Sequence, residues 1–400
     1  MTHWVPELLA PAGSLEKLKV AVSYGANAVY LGGQKFGLRS AADNFTPGEL
    51  REGVRFAHLH GSHVYVVLNS FLHDQDFEDL PEFLTLLEEC RVDAVIVSDR
   101  GVIEAIKKHS NLVIHLSTQA SCLNAAAAKA WKELGVSRIV LGREVTIDEA
   151  RKIKESVDIE LEMFVHGSMC MAYSGNCVIS NYTQGRDSNR GGCAHSCRFE
   201  YSLSKENEEK KYAHFMSSKD LQGLRQLEEF ISAGIDSLKV EGRMKSHHYA
   251  GTISKVYSEA LNYYKNNGSF LSDDLYQWEQ ELSKVGHRSY TNASLEKPAD
   301  DESIYDERQH KQSETTVAAM ILEAKEGQYI LAEVRSPFYV GDTLEFLPFS
   351  GPIVTTQIES IIDASGESFE KSRPGMLWRL PPLMGARPYN IIRVYPGGPK

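Results

Sequence analysis

The sequence predicts an α/β fold: an eight-stranded TIM-like barrel with a cysteine-rich insertion after strand seven, followed by a small C-terminal all-β barrel domain. Three observations predict it. Short β-branched runs alternate with amphipathic helical stretches from the start of the chain to about residue 265, the pattern of strand–helix repeats that build a parallel sheet. Eight such runs close into a barrel more readily than they spread into an open sheet. From Thr316 onward short strands follow one another with turn signals between them and no helical period.

The barrel strands are read at Glu7 to Ala10, Ala28 to Leu31, His63 to Asn69, Ala94 to Asp99, Leu112 to Ser117, Arg138 to Arg143, Glu160 to His166 and Ser237 to Glu241. Between them, Gly48 to Leu59, Phe77 to Cys90, Asn124 to Leu134 and Ile147 to Ser156 carry apolar residues at helical spacing. No Gly-x-Gly-x-x-Gly follows the first strand, so a dinucleotide fold has no support. The interval between strands seven and eight is far longer than the others, so roughly fifty residues are inserted there. They begin at the C-terminal end of a barrel strand, where such barrels place their active sites. After the helix Ser246 to Asn266 comes a polar stretch with Asp300-Asp301-Glu302 and Asp306-Glu307, read as a connector. The expected organisation is therefore a barrel over 1–267 with its insertion at 168–217, a connector over 268–315, and a β domain over 316–400. Its strands are read at Ala318 to Leu322, Tyr329 to Val334, Thr343 to Leu347, Ile353 to Ile358, Met376 to Leu380 and Asn390 to Val394.

Composition excludes several classes. With 42% hydrophobic and 24% charged residues in 400, the chain is neither disordered, collagen-like nor a disulfide scaffold. A net charge of -11 argues against a protein that coats nucleic acid through phosphate contacts alone. No apolar run approaches the roughly 18 residues of a membrane span, and Met-Thr-His-Trp-Val-Pro-Glu has no signal-peptide pattern, so a soluble, cytoplasmic protein is expected. A local basic rim near the C-terminus (Lys371, Arg373, Arg379, Arg387, Arg393, Lys400), interleaved with Trp378, Tyr389 and Tyr395, suits single-stranded nucleic acid or is simply solvated.

Four of the six cysteines fall in the insertion, spaced Cys170-x6-Cys177-x15-Cys193-x3-Cys197. In a cytoplasmic chain that reads as a metal site before disulfides. The first gap is long for a zinc knuckle, whereas iron–sulfur ligand spacing varies widely, so the pattern favours a cluster over zinc, with buried or redox-active thiols as the remaining reading. Arg186, Arg190 and Arg198 lie among these ligands, where cations would offset a negative cluster. Cys90 reads as core, and Cys122 faces the barrel mouth as a lesser candidate.

On strand seven, alternation places Glu162, Phe164 and His166 on one face, and on strand eight it pairs Lys239 with Glu241. Lys239 then faces Glu162 and Glu7 inside the barrel, as a salt-bridge layer or as catalytic groups. His166, Glu162, Lys239 and Glu241 are the candidate catalytic residues, and a satisfied structural imidazole is the alternative for His166. Asn69, Gln119, Arg143 and Arg243 stand near strand ends, with Asp99 and Glu144; Arg39, Arg143 and Arg243 suit a carboxylate-bearing small molecule. Hydrolase signatures of the His-Glu-x-x-His and Gly-x-Ser-x-Gly kinds are absent from the sequence.

The run from Glu162 through His166-Gly-Ser-Met-Cys170 to Cys177-Val-Ile-Ser180 resembles the signature of the collagenase-like peptidase family, class U number thirty-two. Leu9-Ala-Pro-Ala-Gly13, Ser117-Thr-Gln-Ala-Ser121, Asn189-Arg-Gly-Gly-Cys193 through Cys197-Arg198, and Ser237 through Lys245 resemble family blocks in the same order. The resemblance covers the barrel and is weaker over the β domain. It implies an oxygen-independent hydroxylase carrying a four-iron, four-sulfur cluster on Cys170, Cys177, Cys193 and Cys197. In the tRNA branch, which fits best on length and on the single β domain, it implies prephenate-dependent conversion of wobble uridine to 5-hydroxyuridine, with mouth arginines holding the prephenate carboxylates and the basic rim holding the anticodon arm. A collagenase-like peptidase, or a hydroxylase of rRNA or of a quinone precursor, are the alternatives. Related hydroxylases work in pairs, so a second family member or a second copy is the other expected partner.

Overall fold

The computed structural model describes residues 2–38, 43–205, 209–305, 313 and 315–395. Eight parallel strands, Glu7–Pro11, Ala28–Leu31, His63–Leu68, Ala94–Val97, Val113–Leu116, Arg138–Val140, Glu160–Ser168 and Ser237–Glu241, pair in order, and the eighth bonds both the seventh and the first, closing the barrel. The two-residue period of each strand splits its side chains between two cores. Leu9, Tyr30, Tyr65, Val67 and Ile96 point inward, while Leu8, Val29, Leu31, Val64 and Val95 meet the surrounding helices. Helix starts follow from side-chain caps: Thr46 with Glu49 ahead of Pro47–Leu59, and Thr146 with Glu149 ahead of Ile147–Ser156, each form a reciprocal capping box. Asp99, Asn124 and Ser246 cap Arg100–His109, Ala125–Glu133 and His247–Asn267 through the same acceptor chemistry.

Residues 268–305 do more than connect. Helix Ser272–Leu282 packs on His247–Asn267, Leu282, Val285 and Leu295 enter the outer core, and Tyr290–Thr291 extends the sheet beside Asp220–Gln222. Asp220–Gln222 itself runs antiparallel to the top of the seventh strand. A polar composition hid this because single apolar residues are spaced between charges, and one charge, Arg288, is buried against Asp220 through its Nε at 3.0 Å. Asp306 and Glu307 lie outside the described residues.

The second domain is an antiparallel half-barrel whose eight strands enclose Ile321, Ile330, Phe338, Phe346 and Trp378. It docks on the barrel through buried polar contacts. Tyr24 donates its hydroxyl to Leu347 O at 2.8 Å and accepts from Ile391 N at 2.9 Å. Arg393 is fully buried: it meets Glu281 at 2.6 and 3.0 Å and Glu345 at 2.8 Å, and Lys284 also reaches Glu345 at 2.9 Å. The basic rim is therefore smaller than expected. Arg393 is withdrawn from it because two carboxylates distant in sequence enclose it, and Trp378 belongs to the domain core. Among the described residues no helix is long and apolar enough to cross a membrane.

Candidate functional site

The insertion folds into a roof over the C-terminal mouth of the barrel, and hydrogen bonds from three strand-end loops hold it there. From the third strand's loop, Phe71 N bonds Asn189 O at 2.9 Å and Asp76 pairs with Arg190 at 2.9 Å. From the fifth, the Ser121 hydroxyl donates to Ser174 O, and Gly175, at φ +78°, lies so close to the Gln119 carbonyl that a Cβ there would collide with it. From the sixth, Glu144 accepts from Ser174 N at 2.9 Å and from its hydroxyl at 3.1 Å, while that hydroxyl accepts from Arg143 N at 3.2 Å. Arg198 closes the other side, donating to Met169 O at 2.5 Å and Ser218 O at 2.6 Å.

The four insertion cysteines are free thiols, with Cys170 exposed and Cys177, Cys193 and Cys197 half-buried. They converge. The Cys197 thiol is pushed up first by burial, opposed by Arg198, and then by Cys170, Cys193 and Cys177, so the other three cysteines lie near it. Among the described residues no three His, Cys, Asp or Glu side chains stand close enough to share one metal ion. A single zinc gathers its ligands around one centre, whereas a four-iron cluster takes one thiolate per iron. The donor set, four soft thiols that approach without meeting, fits the cluster.

Below the roof, the barrel interior holds a column of ion pairs. Glu162 is fully buried and receives Lys239 Nζ at 2.7 Å and Arg138 at 3.5 Å. Glu7, which alternation also offered to Lys239, binds instead Arg138 at 2.6 Å, the Tyr65 hydroxyl at 2.7 Å and Ser237 at 3.0 Å. Burial, with the Arg138 and Lys239 cations beside it, holds the His115 imidazole well below its usual range. Glu241 lies nearer the mouth, bonded by the Tyr30 hydroxyl at 3.0 Å, and Lys239 Nζ sits 4.5 Å over the Tyr30 ring. Sequence reading missed Arg138, Tyr30 and Tyr65 as members, although the parity that selected Glu162 and Lys239 selects them too.

His166 does not join this column. Lys239 pairs with Phe164 and Val240 with His166, so Val165 is an extra residue that shifts the register and turns His166 outward. Its Nδ1 lies 3.2 Å from the Tyr257 hydroxyl, and the rings of Tyr249, Tyr257 and Tyr290 surround it. Burial lowers its pKa to about 3, keeping it neutral.

Of the binding candidates, Arg39 lies outside the described residues. Arg143 stacks on Phe164 at 4.1 Å, and its Nε is buried with no hydrogen-bond partner. Asn69 donates to Ser117 at 3.1 Å while its Oδ1 is buried and unpartnered. Gln119 sits in the turn against Gly175, and Arg243, buried, lies against Gly32 at the end of the second strand. Cys122 is fully buried and its thiol is pushed up to about 11 by that burial, so it takes no part in the mouth chemistry.

Comparison with known proteins bears on both domains. A family profile described as Peptidase family U32 matches residues 13–305, and one described as Peptidase family U32 C-terminal domain matches 313–393. The tRNA hydroxylation protein P1 of Bacillus subtilis (strain 168) is 42% identical, over 92% of this chain and 89% of its own. The tRNA hydroxylation protein P of Escherichia coli (strain K12) is 31% identical, over 91% of this chain and 90% of its own. A 23S rRNA 5-hydroxycytidine synthase of Escherichia coli (strain K12) is 38% identical over 64% of this chain and 39% of its own length.

Proposed function

The chain belongs to the U32 peptidase family, and we propose that within it this protein is a tRNA hydroxylase, converting the wobble uridine to 5-hydroxyuridine without O2 and with prephenate as cosubstrate. The observation that carries the reading is the roof: four free thiols converge over a polar barrel mouth, in a chain whose relatives along nearly its full length are named for tRNA hydroxylation. Cys170, Cys177, Cys193 and Cys197 would hold a four-iron, four-sulfur cluster, which when bound supplies one-electron chemistry.

The chain's own residues divide the remaining work. Arg143, held flat on Phe164 with a buried donor unspent, takes one carboxylate of a small dicarboxylate such as prephenate, and Arg243 across the mouth takes the other. The target base leaves its stack and enters the mouth. There the unpartnered Asn69 Oδ1 accepts the imide N–H of uracil, an edge that cytosine lacks, and Gln119 offers a second amide beside it. Glu241 is the mouth carboxylate placed to hold a proton, while Glu162 and Lys239 fix the barrel beneath it. Nucleoside mass spectrometry of tRNA and rRNA from cells with and without this chain tests the reading. Loss of 5-hydroxyuridine and its derivatives from tRNA is expected; unchanged tRNA and rRNA, in cells with no second copy of the gene, would refute it.

A further inference from the structure

We propose that the exposed aromatic side chains of the roof form the stacking surface for the single-stranded loop of the RNA substrate. This rests on the RNA reading above and adds a docking surface to the C-terminal rim, which keeps Lys371, Arg373, Arg379 and Arg387 exposed but loses Arg393 to the interior. Nine aromatic residues among those described are strongly exposed, and five of them, Tyr173, Tyr182, Phe199, Tyr212 and Phe215, belong to the roof, one eighth of the chain. A sixth, Phe71, is bonded through its main chain to Asn189 and Arg190 of the same roof. Such a concentration of exposed rings marks an interaction surface.

Chemistry selects the occupant. Three of the six rings are tyrosines, whose hydroxyls tolerate a wet interface, and exposed Arg186, Lys205, Lys210 and Lys211 stand among them. The roof carries six Lys and Arg against five Asp and Glu, in a chain whose net charge is -11, so it is the less repulsive face for a polyanion. Unstacked bases of an RNA loop pair naturally with such rings, because every base has a π face and cations nearby hold the phosphates. The second domain contrasts: Lys371, Arg373 and Arg379 each already lie over a ring of their own domain, at 5.0, 6.0 and 5.1 Å from Tyr339, Phe369 and Tyr329. Among the described residues the hairpin Tyr201–Leu203 with Lys211–Ala213 joins no other sheet, and its Leu203 and Tyr212 side chains are exposed on opposite faces. Isolated two-stranded hairpins are marginal in water, so stacking on this one adds order as well as affinity. Because the roof is bonded to three mouth loops, bases stacked on it lie next to the opening that must receive the target base.

Tyr182 and Tyr212, 88% and 62% exposed, allow a clean test, since neither side chain supports the fold. In the full chain, Tyr182→Ala, Tyr212→Ala and Tyr182→Phe are compared for affinity to unmodified tRNA transcript and to an anticodon stem–loop, for KM and kcat of base modification, and for iron and sulfide content. Each alanine variant is expected to weaken RNA affinity about 5- to 150-fold, the range for one lost base stack, raising KM with kcat and iron content unchanged; Tyr182→Phe retains wild-type affinity. Alanine variants that bind within twofold of an active wild type would overturn the proposal. So would a dimer in the wild type that Tyr182→Ala dissociates without changing RNA affinity, which would make the surface a contact between copies. A wild-type chain that neither binds nor modifies RNA would instead overturn the functional reading itself.

Discussion

Replacing Lys239 by Met tests whether the barrel column is a structural pair or a catalytic one. The substitution keeps the side-chain volume and removes the charge 2.7 Å from Glu162, a carboxylate with no exposed surface, leaving it only Arg138 at 3.5 Å. Breaking one partner out of a buried pair costs about 3–5 kcal/mol. Removing both partners should cost far less, because a well-packed apolar pair of similar volume is often near neutral. Arg138 would not be orphaned in the double variant, since it keeps Glu7 at 2.6 Å and Glu160 at 2.8 Å. We expect Lys239→Met to lose about 3–5 kcal/mol and Glu162→Met with Lys239→Met to lie within about 1–2 kcal/mol of wild type, read from urea midpoints at pH 7. A single variant as stable as wild type, or a double variant as unstable as the two singles added, would refute the pair. If the double variant recovers stability but not kcat, Lys239 or Glu162 touches the reaction after all.

Other outcomes follow from the same geometry. His166 and His248 are held near pKa 3 by burial, so only the unfolded chain protonates them near 6.5; each should remove about 2 kcal/mol of stability between pH 7 and pH 5, and a denaturation midpoint that is flat over that interval would contradict their burial as neutral rings. Ser174→Ala removes the hydroxyl that donates to Glu144 and accepts from Arg143 N, leaving Glu144 only the main-chain bond from residue 174, and should lower the iron retained per chain after reconstitution at least about twofold, at a cost of about 1–3 kcal/mol, while the exposed Gln184→Ala on the same roof leaves iron retention closer to wild type. Arg393→Met leaves Glu281 and Glu345 buried with Lys284 as their remaining cation and the Tyr395 hydroxyl on Glu345, at about 3–5 kcal/mol, and should split the calorimetric transition of the full chain into two; a single transition at the wild-type temperature would mean the domains are not locked there.

How far the sequence could be read depended on whether a residue's role was set locally. All eight barrel strands were visible because each is a short β-branched run whose two-residue period is imposed by its own neighbours, and the capping boxes at Thr46 and Thr146 mark helix starts within four residues. The cysteine spacing was equally local. What escaped was set at a distance. The outward turn of His166 comes from one extra residue, Val165, and a bulge leaves no mark in a run that still alternates on paper. Arg393 looked like part of a cationic rim until Glu281 and Glu345 came to enclose it from other elements, and Ser174 is unremarkable until Glu144 and Ser121 bond it across the mouth. Helix Ser272–Leu282 was absorbed into a connector read from the acids at 300–302 and 306–307, while its own Asp273 and Asp274 serve as the favourable charges of a helix N-terminus.

The strand Ile391–Tyr395 is synthesised after every other described strand of its sheet, yet it lies inside that sheet, between Thr343–Leu347 and Thr316–Lys325. On the ribosome the barrel can therefore assemble first, while the second domain waits as open edges with its central slot empty. Arg393 arrives with that strand, so the same few residues that complete the sheet neutralise Glu281 on the barrel side. A nascent chain halted between residues 348 and 390 exposes two unpaired strand edges and two carboxylates, Glu281 and Glu345, that lack their arginine, so the last strand completes the sheet and the domain contact in one step.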